Sequence, residues 1–240
     1  MIGVHLKKIR KRISLSAQEE QVIRDLVSEV RKCGPDQIVV RAAEPLHLSM
    51  LLLSGWMARV KDLSSGERQV TELHVAGDFT DIHSFTLKCL DHDVMTMSDC
   101  SIGIVPHDRI REMTEKYPRL ARIYWFLTNL DAAIQREWAL SLGQRSALSR
   151  MAHLFCEMHE RLSIVGQTNG NGSYNFPLTQ RELSECLGLT VVHANRTIQE
   201  LRRRGLIELE NRSVTILDHN GLKAVAQFDD SYLYLDKRDI

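Results

Sequence analysis

The stretch "PLTQRELSECLGLTVVHANRTIQELRRRG", residues 177–205, limits the possible folds more than any other part of this chain. Thr179 and Glu182 have the spacing of a capping box, in which each side chain satisfies the other residue's backbone N–H. A short helix is expected from there, with Leu183 and Leu187 on its buried side and Gly188 as its stop. Only Leu189 and Thr190 intervene before a second helix, for which Thr190 is the N-cap and Gly205 the terminator. Arg202, Arg203 and Arg204 fall in its last turn, where the helix dipole favours cations.

At about 100° per residue, Ala194, Ile198 and Leu201 share one side of that second helix. Val192, Asn195, Arg196, Gln199 and Arg203 share the opposite side, with His193 on its flank. Guanidinium forks, amides and one small apolar group are the chemistries that read guanine, adenine and thymine edges in a major groove. A merely solvated polar face is the alternative for the helix taken alone. Two helices joined by a tight glycine turn, the second bearing that face, make a helix-turn-helix. The following "LIELENRSVTILD" reads as two strands around a polar hairpin turn. The preceding "GQTNGNGSYNF" holds two Asn-Gly turn signals before a short strand. Together these predict a winged helix-turn-helix.

On "LTQRELSECLGLTVVHANRTIQELRRRGLIE" near one end and "LLLSGWMARVKDLSSGERQVTELHVAGDF" near the other, the chain resembles the Crp/Fnr superfamily of bacterial transcription regulators. The resemblance spans nearly the whole chain. It implies an α+β protein: an amino-terminal antiparallel β-roll like a cyclic-nucleotide-binding domain (1–117), a long dimerisation helix (118–145) and a carboxyl-terminal winged helix-turn-helix (146–240). It also implies a homodimer on double-stranded DNA, with RNA polymerase as a further partner. The family's guanine-contacting arginine matches Arg196, and two other contact positions match Val192 and Asn195. Many members have glutamate where Val192 stands. Valine cannot accept a hydrogen bond from cytosine, so the family's usual half-site is not expected at that base pair.

The rest of the chain is consistent. A length of 240 residues suits one large domain or two modest ones. Formal net charge is zero, which argues against indiscriminate nucleic-acid binding, and the positive charge is local, with four arginines against one glutamate over residues 190–205. No apolar run approaches a membrane span, and "MIGVHLKKIRKRISLS" lacks the apolar core of a secretion signal. Five scattered cysteines suggest no disulfide framework. A soluble cytoplasmic protein without membrane contact is expected.

Helical spacing of Val22, Leu26 and Val30 predicts a helix over residues 14–33. Short apolar runs between turn signals predict a β barrel or roll from about Gln37 to Val105, then a short helix between Pro106 and Pro118. In the long helix that follows, Leu120, Ile123, Leu127, Leu130, Ile134 and Trp138 recur every three or four residues, and this stripe is the expected dimerisation seam. Another helix is expected over about Ser146 to Ile164.

The effector is less defined. Aligned back from "DCSIGIVP", the family's phosphate-binding Arg-Ser or Arg-Thr pair falls on Leu90 and Asp91, and no arginine lies between Arg68 and Arg109. A carboxylate there repels a cyclic phosphate, so cyclic-nucleotide dependence is not expected. Cys33 alone precedes residue 89, against the clustered cysteines of the family's iron–sulfur branch. His83, Cys89, His92 and Cys100 can ligate metal or haem, but their spacing fits no tight motif, and no cofactor or metal is assigned. Asp78 and Asp81 read as turn residues, and His83 and Ser84 as ordinary barrel positions. No nucleophile elbow, His-Glu-x-x-His or phosphate loop is present, so catalysis is not expected. The competing function is a dimeric small-molecule, metal or redox sensing module that reads no specific DNA.

Overall fold

The computed structural model describes residues 2–237 and 239. The elements run α1 (Gly3–Arg10), α2 (Ala17–Asp25), β1 (Glu29–Cys33), β2 (Ile38–Val40), β3 (Leu48–Ser54), β4 (Trp56–Asp62), β5 (Arg68–Val75), α3 (Ser84–Leu87), β6 (Asp93–Thr96) and β7 (Cys100–Pro106). They continue as α4 (His107–Lys116), α5 (Pro118–Gln144), α6 (Ala147–Val165), β8 (Ser173–Asn175), α7 (Gln180–Leu187), α8 (Val191–Arg203), β9 (Ile207–Glu210), β10 (Ser213–Ile216) and α9 (His219–Ala226), with a final 3₁₀ turn at Asp230–Leu233. They form two compact units, and α5 contributes residues to both. The first holds residues 1–60, 73–133 and 233–240; the second holds 61–72 and 134–232.

The sheets β1-β7-β3 and β2-β6-β4-β5 make the expected antiparallel β-roll, which belongs to the first unit except for residues 61–72 of the β4–β5 hairpin. Strand β3 explains how the roll is sealed. Side chains alternate across a strand, and Leu51 and Leu53 enter a core shared with α1, α4 and α5 while Met50 and Leu52 enter a second core with Met57, Val94, Cys100 and Ile102. Both faces of β3 are therefore buried, which is why it reads as a continuous apolar run rather than an alternating one.

Two expectations change in this unit. The helix over 14–33 ends at Asp25, and residues 29–33 form β1, paired antiparallel with β7 from Glu29↔Ile104 to Cys33↔Cys100. Val30, third in the helical count, lies 38% exposed on the strand. Backbone pairing with β7 overrides local spacing there. The helix that does form begins at a full Ser16/Glu19 capping box. The basic segment before it is itself a helix, α1, whose Leu6 and Ile9, together with Ile13 beyond it, are fully buried.

The second unit is built on α6, where Met151, Phe155, Met158 and Leu162 are buried. Ser146 caps α6 by accepting from Ser149 N at 3.2 Å. Phe155 packs edge-on against Phe176, and Tyr174 O–H donates to the Phe155 carbonyl at 3.0 Å. Buried Glu157 accepts from Trp138 Nε1 (3.2 Å), Arg161 Nη1 (2.9 Å) and Tyr232 O–H (3.0 Å). A buried carboxylate needs such company, because an unpaired charge there would cost several kcal/mol. Among the described residues no helix is long and apolar enough to cross a membrane.

Candidate nucleic-acid interface

The interface follows from local chemistry in α7 and α8. The Thr179 hydroxyl accepts from Glu182 N at 3.2 Å, and Glu182 accepts from Thr179 N at 2.6 Å. Gly188 closes α7 at φ 58°, a left-handed position that a side chain would strain. Thr190 then caps α8 by accepting from His193 N at 3.2 Å. Leu183, Leu187, Ala194, Ile198 and Leu201 are all buried, so the apolar sides of α7 and α8 face the core as their spacing predicts. The sheet β8-β10-β9 supplies the wing. Its tip is the two-residue turn Asn211–Arg212, with φ 49° and 57°, the twist that a tight hairpin requires.

On the outer face of α8, Val192 (61% exposed), His193, Arg196 and Gln199 stand in solvent. Among the described residues no hydrogen bond or ion pair holds the Arg196 guanidinium. An open groove beside it is lined by Ser146, Leu148, Val192, His193 and Glu200. The other two expected contacts are already engaged within the chain. Asn195 is half-buried and donates through Nδ2 to Gln180 Oε1 at 2.8 Å. Arg203 forks onto Glu200 through Nε (2.9 Å) and Nη2 (2.8 Å), while Arg204 Nε reaches the same carboxylate at 2.7 Å. The Arg203 and Arg204 hydrogen bonds pull the Glu200 carboxyl down to about 2. Sequence spacing places Arg203 on the reading face but gives no sign of this clamp. Gln180 was missed altogether; it lies on a different helix, and only the α7–α8 packing brings it to Asn195.

The long helix requires a correction. The stripe chosen as a dimer seam packs inside the protomer: Leu120 and Ile123 are fully buried, Leu130, Ile134 and Trp138 nearly so, and Leu127 is half-buried against the α1 core. The indole N–H of Trp138 is held by Glu157. A regular apolar stripe marks a buried face without naming what buries it. The exposed side of α5 instead carries Arg122, Trp125, Asn129, Ala132, Arg136, Ala139 and Gly143, also spaced three and four apart. Trp125 on it is 69% exposed.

Inside the β-roll, Leu90 is buried in the second core and Asp91 projects outward beside His92. Arg59, 4% exposed, donates through Nε to the Thr80 carbonyl and through Nη1 to Asp131 Oδ2, both at 2.8 Å. Asp81 lies in a bend, as expected of a turn residue, but is fully buried. It accepts from Met50 N at 2.6 Å, and burial raises its carboxyl to about 7. Asp78 is likewise buried, accepting from Val75 N at 3.0 Å and pairing with Lys8. Ser49, Ser84 and His107 form a closed, buried trio, with His107 Nε2 at 3.2 and 3.1 Å from the two hydroxyls. Among the described residues His83, Cys89, His92 and Cys100 form no group of three close enough to share one ion. The His83 and His92 rings lie 5.6 Å apart, and burial holds His83 down to about 4.

Comparison with known proteins agrees with this geometry. The cyclic nucleotide-binding domain matches residues 30–117 and the Crp-like helix-turn-helix domain residues 149–225. A probable transcriptional activator of Rhizobium leguminosarum bv. viciae is 30% identical over 193 residues, covering 78% of this chain and 76% of its own. The transcriptional activator protein FnrA of Stutzerimonas stutzeri is 22% identical over 214 residues, covering 89% and 87%. Among solved structures, FixK2 from Bradyrhizobium japonicum superposes with a TM-score of 0.76 at 22% identity, covering 83% of this chain and 98% of its own. Both of these relatives are named as transcriptional activators, the first as a probable one.

Proposed function

We propose a specific mode of action from one premise: the chain belongs to the Crp/Fnr superfamily, whose members are DNA-binding transcription regulators. It acts in the cytoplasm as a homodimer on an inverted-repeat operator. Two copies of α8 enter successive major grooves about 34–36 Å apart, and RNA polymerase is the partner at the promoter. The three functional divisions are the sensor (1–117), the dimerisation helix (118–145) and the winged helix (146–240).

One observation carries the DNA-reading part: Arg196 stands exposed and uncommitted at the centre of the α8 face, between Val192, His193 and Gln199. Its fork suits guanine O6 and N7. Asn195 joins the readout by exchanging Gln180 for DNA, and Arg203 exchanges Glu200 for a backbone phosphate. Dimerisation uses the Trp125–Ala132–Arg136 side of α5, because Trp125 there is a large apolar side chain left 69% exposed in its own protomer. Cyclic nucleotides are not the effector. Leu90 and Asp91 offer no phosphate contact, and Arg59, the one arginine buried in the roll among the described residues, is committed to Asp131. Selection of bound sequences from a random DNA pool tests the reading; recovery of no enriched motif would overturn it.

A further inference from the structure

Five cysteines are free in this chain, and two of them face each other directly. Cys33 ends β1, Cys100 begins β7, and the antiparallel register pairs them. Directly opposed residues of an antiparallel pair have Cα atoms about 4.5–5.5 Å apart and side chains on the same face. A disulfide needs Cα atoms roughly 4.4–6.8 Å apart. The two side chains also share one environment, since half-buried Cys33 packs against the core cluster that contains Cys100.

The remaining surroundings give the two thiols different parts. Cys100 is buried, with its Sγ 3.2 Å from the Trp56 carbonyl and 3.3 Å from the Ser98 carbonyl. Burial raises its thiol above the ordinary value, so it is a poor first nucleophile. Cys33 is the more accessible of the two and sits at the end of an edge strand, where an oxidant can arrive. The other buried cysteines, Cys156 and Cys186, have no opposed thiol in any paired strand, and Cys89 is exposed in a loop.

We propose that Cys33 and Cys100 form a reversible, peroxide-responsive disulfide that staples β1 to β7. The Cys33 thiolate attacks one oxygen of a hydroperoxide, the O–O bond breaks, and water (or an alcohol) leaves with the proton, giving a sulfenic acid. The Cys100 sulfur then attacks the sulfenic sulfur, the S–O bond breaks, and the Cys100 proton leaves with the hydroxyl as a second water. Each thiol is oxidised by one electron, and the peroxide accepts both. A dithiol reductant reverses the step. The bond would tie the edge strand of the β-roll to its neighbour and close a loop that contains β2 to β6.

The test treats the full chain with hydrogen peroxide and maps thiols by alkylation and tryptic mass spectrometry. A Cys89→Ser background is used because residues 89–109 form one tryptic peptide containing both Cys89 and Cys100. The expected result is a linked pair, peptide 33–41 joined to 89–109, lighter than the sum of its parts by two hydrogens. It should disappear with dithiothreitol and be absent from Cys33→Ser. Oxidation should raise the melting temperature of the Cys89→Ser protein by roughly 5 °C, and that of Cys33→Ser not at all. Cys33→Ser changes a half-buried side chain at a strand end, so its fold can be checked by its unoxidised melting curve. Recovery of Cys33 and Cys100 both as free thiols, or of Cys33 only as sulfinic or sulfonic acid, would overturn the proposal. So would a Cys33 disulfide to another chain.

Discussion

Glu200 accepts from two nitrogens of one guanidinium, Arg203 Nε at 2.9 Å and Arg203 Nη2 at 2.8 Å, on the solvent side of α8. With its carboxyl held at about 2 by Arg203 and then Arg204, it stays ionised wherever DNA binding is measured. Arg203 can therefore turn its Nε/Nη2 edge to a phosphate only by leaving Glu200, which carries the same negative charge as the phosphate. Glu200→Gln should weaken that competition and raise DNA affinity several-fold. The dependence of log affinity on log salt should steepen by about one phosphate contact, with base preference unchanged. Salt titration of fluorescently labelled operator DNA checks this, and an unchanged slope would place Arg203 away from the DNA.

Dimerisation separates the two faces of α5. Trp125→Glu with Ala132→Glu should give a folded monomer with weak operator binding, whose melting temperature falls only by the lost dimer stabilisation and no longer depends on protein concentration. Ile134→Glu should lower the melting temperature sharply instead, because Ile134 is buried in its own protomer and an unpaired buried charge costs several kcal/mol. Sedimentation and thermal melting together distinguish the two. A dimeric Trp125/Ala132 double variant would show that the pairing surface is elsewhere.

These two cases mark what the sequence could and could not reveal. The helix-turn-helix was legible because caps, glycine stops and buried spacing are local properties, and Thr179, Gly188 and Thr190 behave in the structure as their residue types dictate. The partners of Asn195 and Arg203 were not, since Gln180 lies a helix away and Glu200 gives no cue to whether it faces a solvent-bound arginine. The α5 stripe was found correctly as a buried face and misassigned as to what buries it, because periodicity reports burial alone. Strand β1 was lost because its pairing partner β7 lies about seventy residues onward, and the cross-strand position of Cys33 was lost with it. Arg59 was overlooked as an interior cation because it precedes the segment in which the family's phosphate-binding pair is sought.

Acid should weaken the first unit through His5. The Gly77 carbonyl, 2.8 Å from Nδ1, accepts and so fixes the proton there, leaving Nε2 to accept from Tyr124 O–H at 3.1 Å. Burial lowers this imidazole from 6.5 to about 4. Between those values the unfolded chain binds the additional proton, so the stability His5 contributes is present above 6.5 and lost as pH falls toward 4. The shift corresponds to at most about 3 kcal/mol. Asp81, raised to about 7, acts oppositely, contributing stability at low pH that is lost as pH rises toward 7. The informative quantity is therefore the difference between proteins. His5→Gln should be less stable than wild type at pH 7, with the gap closing by pH 4. A gap of constant size would refute the titration while leaving the packing role.

Cyclic AMP at millimolar concentration should leave both the melting temperature and the operator affinity of the wild-type protein unchanged. A ligand that bound the folded state would have to stabilise it. Asp131→Asn should release Arg59 from its charged partner, and any stabilisation by a cyclic nucleotide is expected in that variant alone. A clear upward shift in the wild-type protein would contradict the account of the β-roll.

The most direct measurement selects DNA from a random pool with wild-type protein and with Arg196→Ala in parallel. The wild-type selection should give an inverted repeat with a preferred guanine in each half-site. Arg196→Ala should lose that guanine preference while keeping the other positions, at a cost of about 1–3 kcal/mol per contact. If Arg196→Ala recovers the same motif with uniformly lower affinity, Arg196 touches only the backbone. The claim that α8 reads its operator through this guanidinium would then be wrong.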